Sequence, residues 1–260
     1  MEACVARISI APVKSLGLVH PESVELLPEG VQGDRRFWLV DADGRLFNNK
    51  RNGPMVTIRP AWDETTRQLS LSFPDGTQVV GTVELGERVA AELYGRPHPS
   101  RRVIGPWEEA ISSSLGRPLS LLWSERHATD RGVVGGAVSV ISSRSLERLR
   151  DEAGSDEPVD GRRFRMMFEI DGVAAHTEDG WIGSSVQLGA AEIVVNGDVG
   201  RCVVTSHDPD SGVTDLDTLG TLARYRREGQ VEPLPFGVYG AVTTPGRVQL
   251  GDNVSPSYDG

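Results

Sequence analysis

The sequence predicts a mainly β protein with a few helices (β/α+β), built as two small β units in tandem. Three observations carry that expectation. The 30 glycines and 16 prolines among 260 residues are spread along the chain rather than gathered in a block, which suits many short strands joined by tight turns. Apolar residues recur in short alternating runs, as in half-buried strands. Pro74-Asp75-Gly76-Thr77 lies between two such runs and is a strong hairpin signal.

Each element follows from local chemistry. Residues 5–10 alternate apolar and polar until Pro12 ends the run, and residues 24–27 read as a second short strand. Phe37-Trp38-Leu39-Val40 is a β-favouring run closed by the turn Asp41-Ala42-Asp43-Gly44. Residues 69–73 and 79–83 flank the hairpin turn. A helix is expected over 107–115, stopped by Gly116, then a strand over 119–123. A strand at 138–141 leads into a helix at 145–153, where Leu146 and Leu149 share a face. Further strands are expected at 164–170, 185–188, 191–195, 202–205, 236–242 and 248–250. A third, amphipathic helix is expected over 217–228, with Arg224, Arg226 and Arg227 in the half where the helix dipole favours cations. Glycines 132, 135 and 136 suggest a flexible loop. The prolines of Arg96-Pro97-His98-Pro99 mark a linker, so the expected division is 1–100 and 101–260.

Charge narrows the function. A formal net charge of −10 repels nucleic acid and anionic membranes, so neither is expected as a partner. An anionic small molecule could be held only where cations cluster locally. Two cysteines, Cys4 and Cys202, are too few for a disulfide framework and have no zinc-type spacing. No signal-peptide pattern opens the chain and no apolar run reaches membrane-spanning length, so a cytoplasmic location is the expectation. The five histidines show no pairing at metal-ligand spacing, and no phosphate-loop, dinucleotide or nucleophile-elbow motif is present.

The candidate chemistry lies in four short segments. Cys202 follows Gly200-Arg201, where a neighbouring cation favours thiolate, the soft ligand that thiophilic metals prefer. A buried, inert cysteine is the alternative. Lys14 and Ser15 sit just past the first strand and could hold a polyanion, or simply face solvent. Arg35 and Arg36 precede Phe37 and on a strand would point to opposite faces, so one alone could enter a given pocket. Arg162, Arg163 and Arg165 bracket Phe164 in apolar surroundings that demand an anionic partner, whether a ligand or a carboxylate.

The order of these pieces is more specific than any of them alone. Pro12-Val13-Lys14-Ser15, Gly33-Asp34-Arg35-Arg36-Phe37, Arg163-Phe164-Arg165, Arg201-Cys202-Val203-Val204-Thr205 and Asp208-Pro209-Asp210-Ser211-Gly212 together resemble the two-part MOSC proteins, including their amidoxime-reducing members. That resemblance implies an N-terminal MOSC β-barrel unit packed on a MOSC-type β-barrel. It implies a molybdenum cofactor (Mo-molybdopterin) whose metal is ligated by the Cys202 thiolate, the catalytic position. It places Lys14, Ser15 and Arg165 on the pterin and its phosphate, with Arg35 favoured over its neighbour Arg36 and with Arg201 beside the cysteine. The turn at 208–212 would orient the cysteine loop together with Arg201. The implied activity is an oxidoreductase that reduces small N-hydroxylated substrates with electrons from a separate electron-transfer protein or reductase. A cofactor carrier or sulfur-transfer module is the other function the resemblance allows. Two positions depart from the family pattern. Met167 stands where relatives often have asparagine, and Gly200 stands where amidoxime-reducing members have serine.

Overall fold

The computed structural model describes residues 2–126 and 136–257; Arg131, Gly132 and Gly135 of the expected flexible loop lie outside them. Strands dominate. The larger sheet runs Cys4–Ile8, Phe168–Asp171, Val138–Ser142, Pro235–Thr244, Ala191–Gly200, Ser185–Leu188 and Val254–Ser257 in space. Its two edges meet, because Cys4 bridges Asn253, Val5 N donates to the Asp252 carbonyl at 2.9 Å, and Gly251 N donates to that of Val5 at 2.8 Å. Closure into a barrel leaves no open edge. Ile8, Val140, Phe168, Val186, Ile193 and Val238 fill the interior and are essentially fully buried. Val138–Ser142 and Phe168–Asp171 pair in parallel, and the helix Ser143–Ala153 lies on the connection between them.

The second sheet runs Leu46–Phe47, Phe37–Val40, Ser120–Ser124, Ser100–Ile104 and Glu84–Val89. It shares a core with the meander Arg59–Asp63, Gln68–Ser72 and Gln78–Thr82 through Leu39, Leu69, Leu71, Val103, Ile111 and Leu121. Strand pairing cuts across the division expected at residue 100. Ser100–Ile104 and Ser120–Ser124 belong to this second sheet, Cys4–Ile8 belongs to the barrel, and Ser23–Leu27 pairs with Gly246–Gln249. The chain's first thirty residues therefore contribute strands to pairings with the C-terminal part of the chain.

The hairpin and the helix Trp107–Leu115, closed by Gly116 in a left-handed conformation, form as the sequence predicts. Three segments differ. The helix expected over 217–228 is Thr218–Tyr225, capped by the Asp217 side chain. It ends because Arg226 turns away, its guanidinium donating to the Pro235 carbonyl at 2.8 Å and to Asp179 at 2.6 Å. The strand expected over 164–170 is confined to Phe168–Asp171; before it, Gly161–Phe164 is a 3-10 turn capped by Asp160, and Arg165 is left-handed with φ 53°. The strand expected over 202–205 is also a 3-10 turn, Val203–Ser206. Its cause is local: the Thr205 hydroxyl and amide both donate to the Cys202 carbonyl, at 2.9 and 3.1 Å.

Candidate functional site

Between the two units lies a cavity of about 420 Å³. The N-terminal wall comes from the loop after Cys4–Ile8. Val13 bridges Phe37 in parallel and Lys14 N donates to the Phe37 carbonyl at 2.8 Å, which fixes Lys14 and Ser15 at the cavity edge. Lys14 is 5% exposed, with its ammonium 5.3 Å from the Tyr94 ring centre. Arg35 reaches the cavity from a left-handed turn, φ 48°, rather than from a strand. Its guanidinium pairs with Asp34, which is 1% exposed and also accepts from Ala11 N at 2.7 Å. One buried carboxylate thus ties the arginine to the lysine loop.

The opposite wall holds the thiol. Cys202 is exposed and lines the cavity, extended just ahead of its 3-10 turn. Arg165 lies beside it and donates to the Leu16 carbonyl at 2.8 Å, joining the two walls. Arg201 also lines the cavity. Its guanidinium donates to the Phe236 carbonyl at 2.8 Å through Nε and to that of Phe164 at 3.2 Å, and it lies 5.2 Å from the Phe164 ring. It positions the cysteine loop as a cationic brace.

Lys14, Ser15, Arg35, Arg165, Arg201 and Cys202 therefore surround one space. Arg36 does not join them. Its guanidinium stacks 4.8 Å from the Trp123 ring on the far side of the chain, and the site proposed below does without it. The reason is the left-handed turn at Arg35, which aims that residue inward and returns its neighbour to the strand direction.

Four of the cavity residues, Ser15, Arg35, Tyr94 and Arg165, are non-glycine residues at positive φ. Such backbone costs about 1–3 kcal/mol per residue and persists where surrounding structure imposes it. The lining is also electrically biased: Lys14, Arg35, Lys50, Arg163, Arg165 and Arg201 face a single carboxylate among the described residues, Glu232. Arg163 is engaged by Asp215 in a two-pronged pair at 2.5 and 2.6 Å. The turn at 208–212 packs against the N-terminal unit, where Asp210 receives Arg59 and a Cβ at Gly212 would lie 2.1 Å from Gly53; Asp210 also receives Arg162 from its own side. Those arginines hold the Asp210 carboxyl down at about 2.

Sequence reasoning missed Asn49, Lys50, Tyr94 and Glu232, all in the lining. The polar run Asn48-Asn49-Lys50 after an apolar strand was a usable signal for the first two. Glu232 had none. The two departures from the family pattern have different fates. Met167 is packed in the barrel core, 2% exposed, with its N–H donating to Ser139 at 3.0 Å. At Gly200 the space a side chain would need is taken, because a Cβ there would lie 2.6 Å from Glu232 Oε2, and Gly200 N donates to that carboxylate at 2.8 Å.

Known proteins bear on this arrangement. The family model described as the MOSC domain matches residues 125–255, and that of the MOSC N-terminal beta barrel domain matches residues 2–95. The chain belongs to the MOSC family. A mouse (Mus musculus) relative named mitochondrial amidoxime-reducing component 1 is 34% identical over 96% of this chain and 81% of its own length. A rice (Oryza sativa subsp. japonica) relative named molybdenum cofactor sulfurase is 26% identical over 85% of this MOSC chain but only 30% of its own length. Among solved structures, the YUAD protein from Bacillus subtilis aligns over 100% of this chain and 98% of its own with a TM-score of 0.50 at 13% identity, a likeness of fold. Among the described residues of this MOSC protein no helix is long and apolar enough to cross a membrane.

Proposed function

We propose that this protein holds a molybdenum cofactor through the Cys202 thiolate and acts as an oxidoreductase on small N-hydroxylated compounds, taking electrons from a separate donor protein. The observation that carries the reading is the cavity itself. An exposed thiol stands in a lining of six cations and one carboxylate, within a protein of net charge −10.

That donor set fits the group. Among the described residues no three histidine, cysteine or acidic side chains gather as a metal cage. A metal here would need most of its ligands from an organic partner, with one soft thiolate added by the protein. A phosphorylated, dithiolene-bearing ligand is anionic at both ends and calls for converging guanidinium and ammonium groups. When bound, the cofactor supplies two-electron redox chemistry at a thiolate-ligated metal.

The chain's residues bind and orient. Lys14, Ser15 and Arg35 offer donors on one wall, and Arg165 spans to the other. Arg201, fixed on two backbone carbonyls, holds the turn that presents Cys202. Reduction of an N–OH group to N–H consumes two electrons and two protons and releases water, so the open side of the cavity must admit both substrate and solvent.

The alignment with the rice molybdenum cofactor sulfurase supports a second reading, a carrier or sulfur-transfer module that binds the same cofactor without turnover. One set of measurements decides between them. Protein purified from a host that makes the cofactor should contain molybdenum by elemental analysis and should reduce an N-hydroxylated substrate with an electron donor present. Cys202→Ala should lose the metal, and an unchanged metal content would overturn the proposal. Metal without turnover points to the carrier.

A further inference from the structure

A second, much smaller hollow opens off the main cavity behind the cysteine loop. It measures about 20 Å³ and shares Asn49, Arg163, Arg165 and Val204 with the larger space. That volume admits about one solvent-sized particle. Three nitrogens on its lining residues, Asn49 Nδ2, Arg163 Nε and His207 Nδ1, are buried and have no hydrogen-bond partner among the described residues. Asn49 is 6% exposed and comes from the N-terminal unit, while Arg163 and His207 come from the other side.

Two neighbouring carboxylates are engaged elsewhere. Asp215 takes both terminal nitrogens of Arg163, which leaves Nε. Asp210 takes Arg59 and Arg162. Among the described residues the one carboxylate lining the hollow, Asp208, accepts from Ser211 N, Ser211 Oγ and Asp210 N through Oδ1, which leaves Oδ2 as the acceptor open to a bound water. Buried donors in native proteins are nearly always satisfied. Asn49 and Arg163 can only donate through these atoms, and His207 donates in the tautomer with hydrogen on Nδ1. A water molecule accepts from two donors and must then place its own two hydrogens. A monoatomic anion accepts from all three and asks for nothing in return, in surroundings where four arginines, Arg59, Arg162, Arg163 and Arg165, stand against the carboxylates of Asp208, Asp210 and Asp215.

We propose that this hollow is a halide site, filled by chloride in ordinary buffers, that ties Asn49 of one unit to Arg163 and His207 of the other beneath the Cys202 turn. It stands apart from the redox reading above, since nothing in its make-up requires the large cavity to be filled.

Bromide in place of chloride tests it on the full chain. Crystals grown in bromide should show an anomalous peak within hydrogen-bond distance of Asn49 Nδ2 and Arg163 Nε. Melting in chloride or bromide should exceed melting in gluconate by about 2–4 °C at matched ionic strength. Asn49→Leu should lose both signals. Asn49→Asp, which supplies the negative charge internally, should melt independently of halide, and it keeps the test decisive if Asn49→Leu does not fold. Ordinary water density without anomalous signal overturns the proposal, as does a halide shift that persists in both variants. So does bromide that appears only in molar soaks, an adventitious ion only. Bromide expelled whenever a ligand fills the main cavity assigns the hollow to that ligand and likewise ends the proposal.

Discussion

The two walls of the cavity use positive charge in different ways. On the N-terminal wall Lys14 and Arg35 are held from behind, by strained backbone and by the buried Asp34, and their charges are set at the cavity edge. On the C-terminal wall Arg201 spends its guanidinium on the carbonyls of Phe164 and Phe236, so its charge serves to fix the turn that carries the thiol. One wall presents charge and the other presents shape and sulfur. The same residue type does both jobs, and only the partners tell them apart.

Removing Asp34 attacks the first wall at its base and should have the largest effect. Asp34→Ala strands Arg35 without its carboxylate and leaves Ala11 N without its acceptor. Breaking a buried pair from one side costs about 3–5 kcal/mol. Asp34→Asn keeps an acceptor for Ala11 and should cost less. Chemical denaturation measures both, and equal costs would mean that the ion pair contributes nothing.

The second wall can be loosened by pH. His176 packs against the ring of Phe236, the residue whose carbonyl anchors Arg201, at 5.7 Å, and both its ring nitrogens lack partners among the described residues. Burial, helped by Arg226 and Arg148, holds it down at about 4 from an ordinary value of 6.5. The unfolded chain therefore takes the proton first on acidification. Stability present above pH 6.5 is lost as pH falls toward 4. With the ring partly exposed to solvent, that loss amounts to about 2 kcal/mol. In His176→Phe the fall between pH 6.5 and 4 should flatten, as read from melts across that window; an unchanged slope assigns the loss to other groups.

Adjacent arginines sharpen the comparison. Arg35→Ala should lower retention of the proposed cofactor by about ten- to a hundredfold. Arg36→Ala removes a cation stacked on Trp123 and should cost about 0.5–1 kcal/mol of stability while leaving retention alone. Metal content after dialysis separates the two, and similar losses from both would erase the distinction drawn between them.

That pair also shows how far the sequence could be read. The hairpin around Pro74-Asp75-Gly76-Thr77 and the helix Trp107–Leu115 were legible because their signals are local, a turn motif and a stopping glycine. The segments around Arg165 and Cys202 looked like strands by their apolar content, yet Asp160 and Thr205 bend them into 3-10 turns by capping backbone groups three residues or fewer away. Lys14, Ser15, Arg35, Arg165, Arg201 and Cys202 could be picked out by type and order, and they do line one space. What brings them there was not legible. The left-handed turns at Ser15, Arg35 and Arg165 are imposed by contacts between segments far apart in the chain, and no glycine or asparagine announces them. Glu232 was invisible for the same reason, since it meets Gly200 only in the fold.

Gly200 offers the smallest and most local test, on the wall built for shape. Placing there the serine that the resemblance to amidoxime-reducing members implies would drive a Cβ to within 2.6 Å of Glu232 Oε2 and 2.9 Å of both the Glu232 Cβ and the Pro233 carbonyl. The carboxylate is the end of a flexible side chain and can swing aside, but the Glu232 Cβ and the Pro233 carbonyl are fixed to the backbone and yield only if the 232–233 segment moves. Gly200→Ser alone should therefore cost about 1 kcal/mol, at the low end for overpacking. Glu232→Ala alone leaves Gly200 N without its acceptor and should cost a similar amount. If the two positions compensate each other, the double variant should be more stable than the sum of the single losses implies, because the serine then enters the room the carboxylate vacated. A double-mutant cycle by denaturation reads that coupling directly. Strict additivity would show that glycine is required at 200 by the Pro233 carbonyl and the Glu232 Cβ, and that the Glu232 carboxylate is a bystander on this wall.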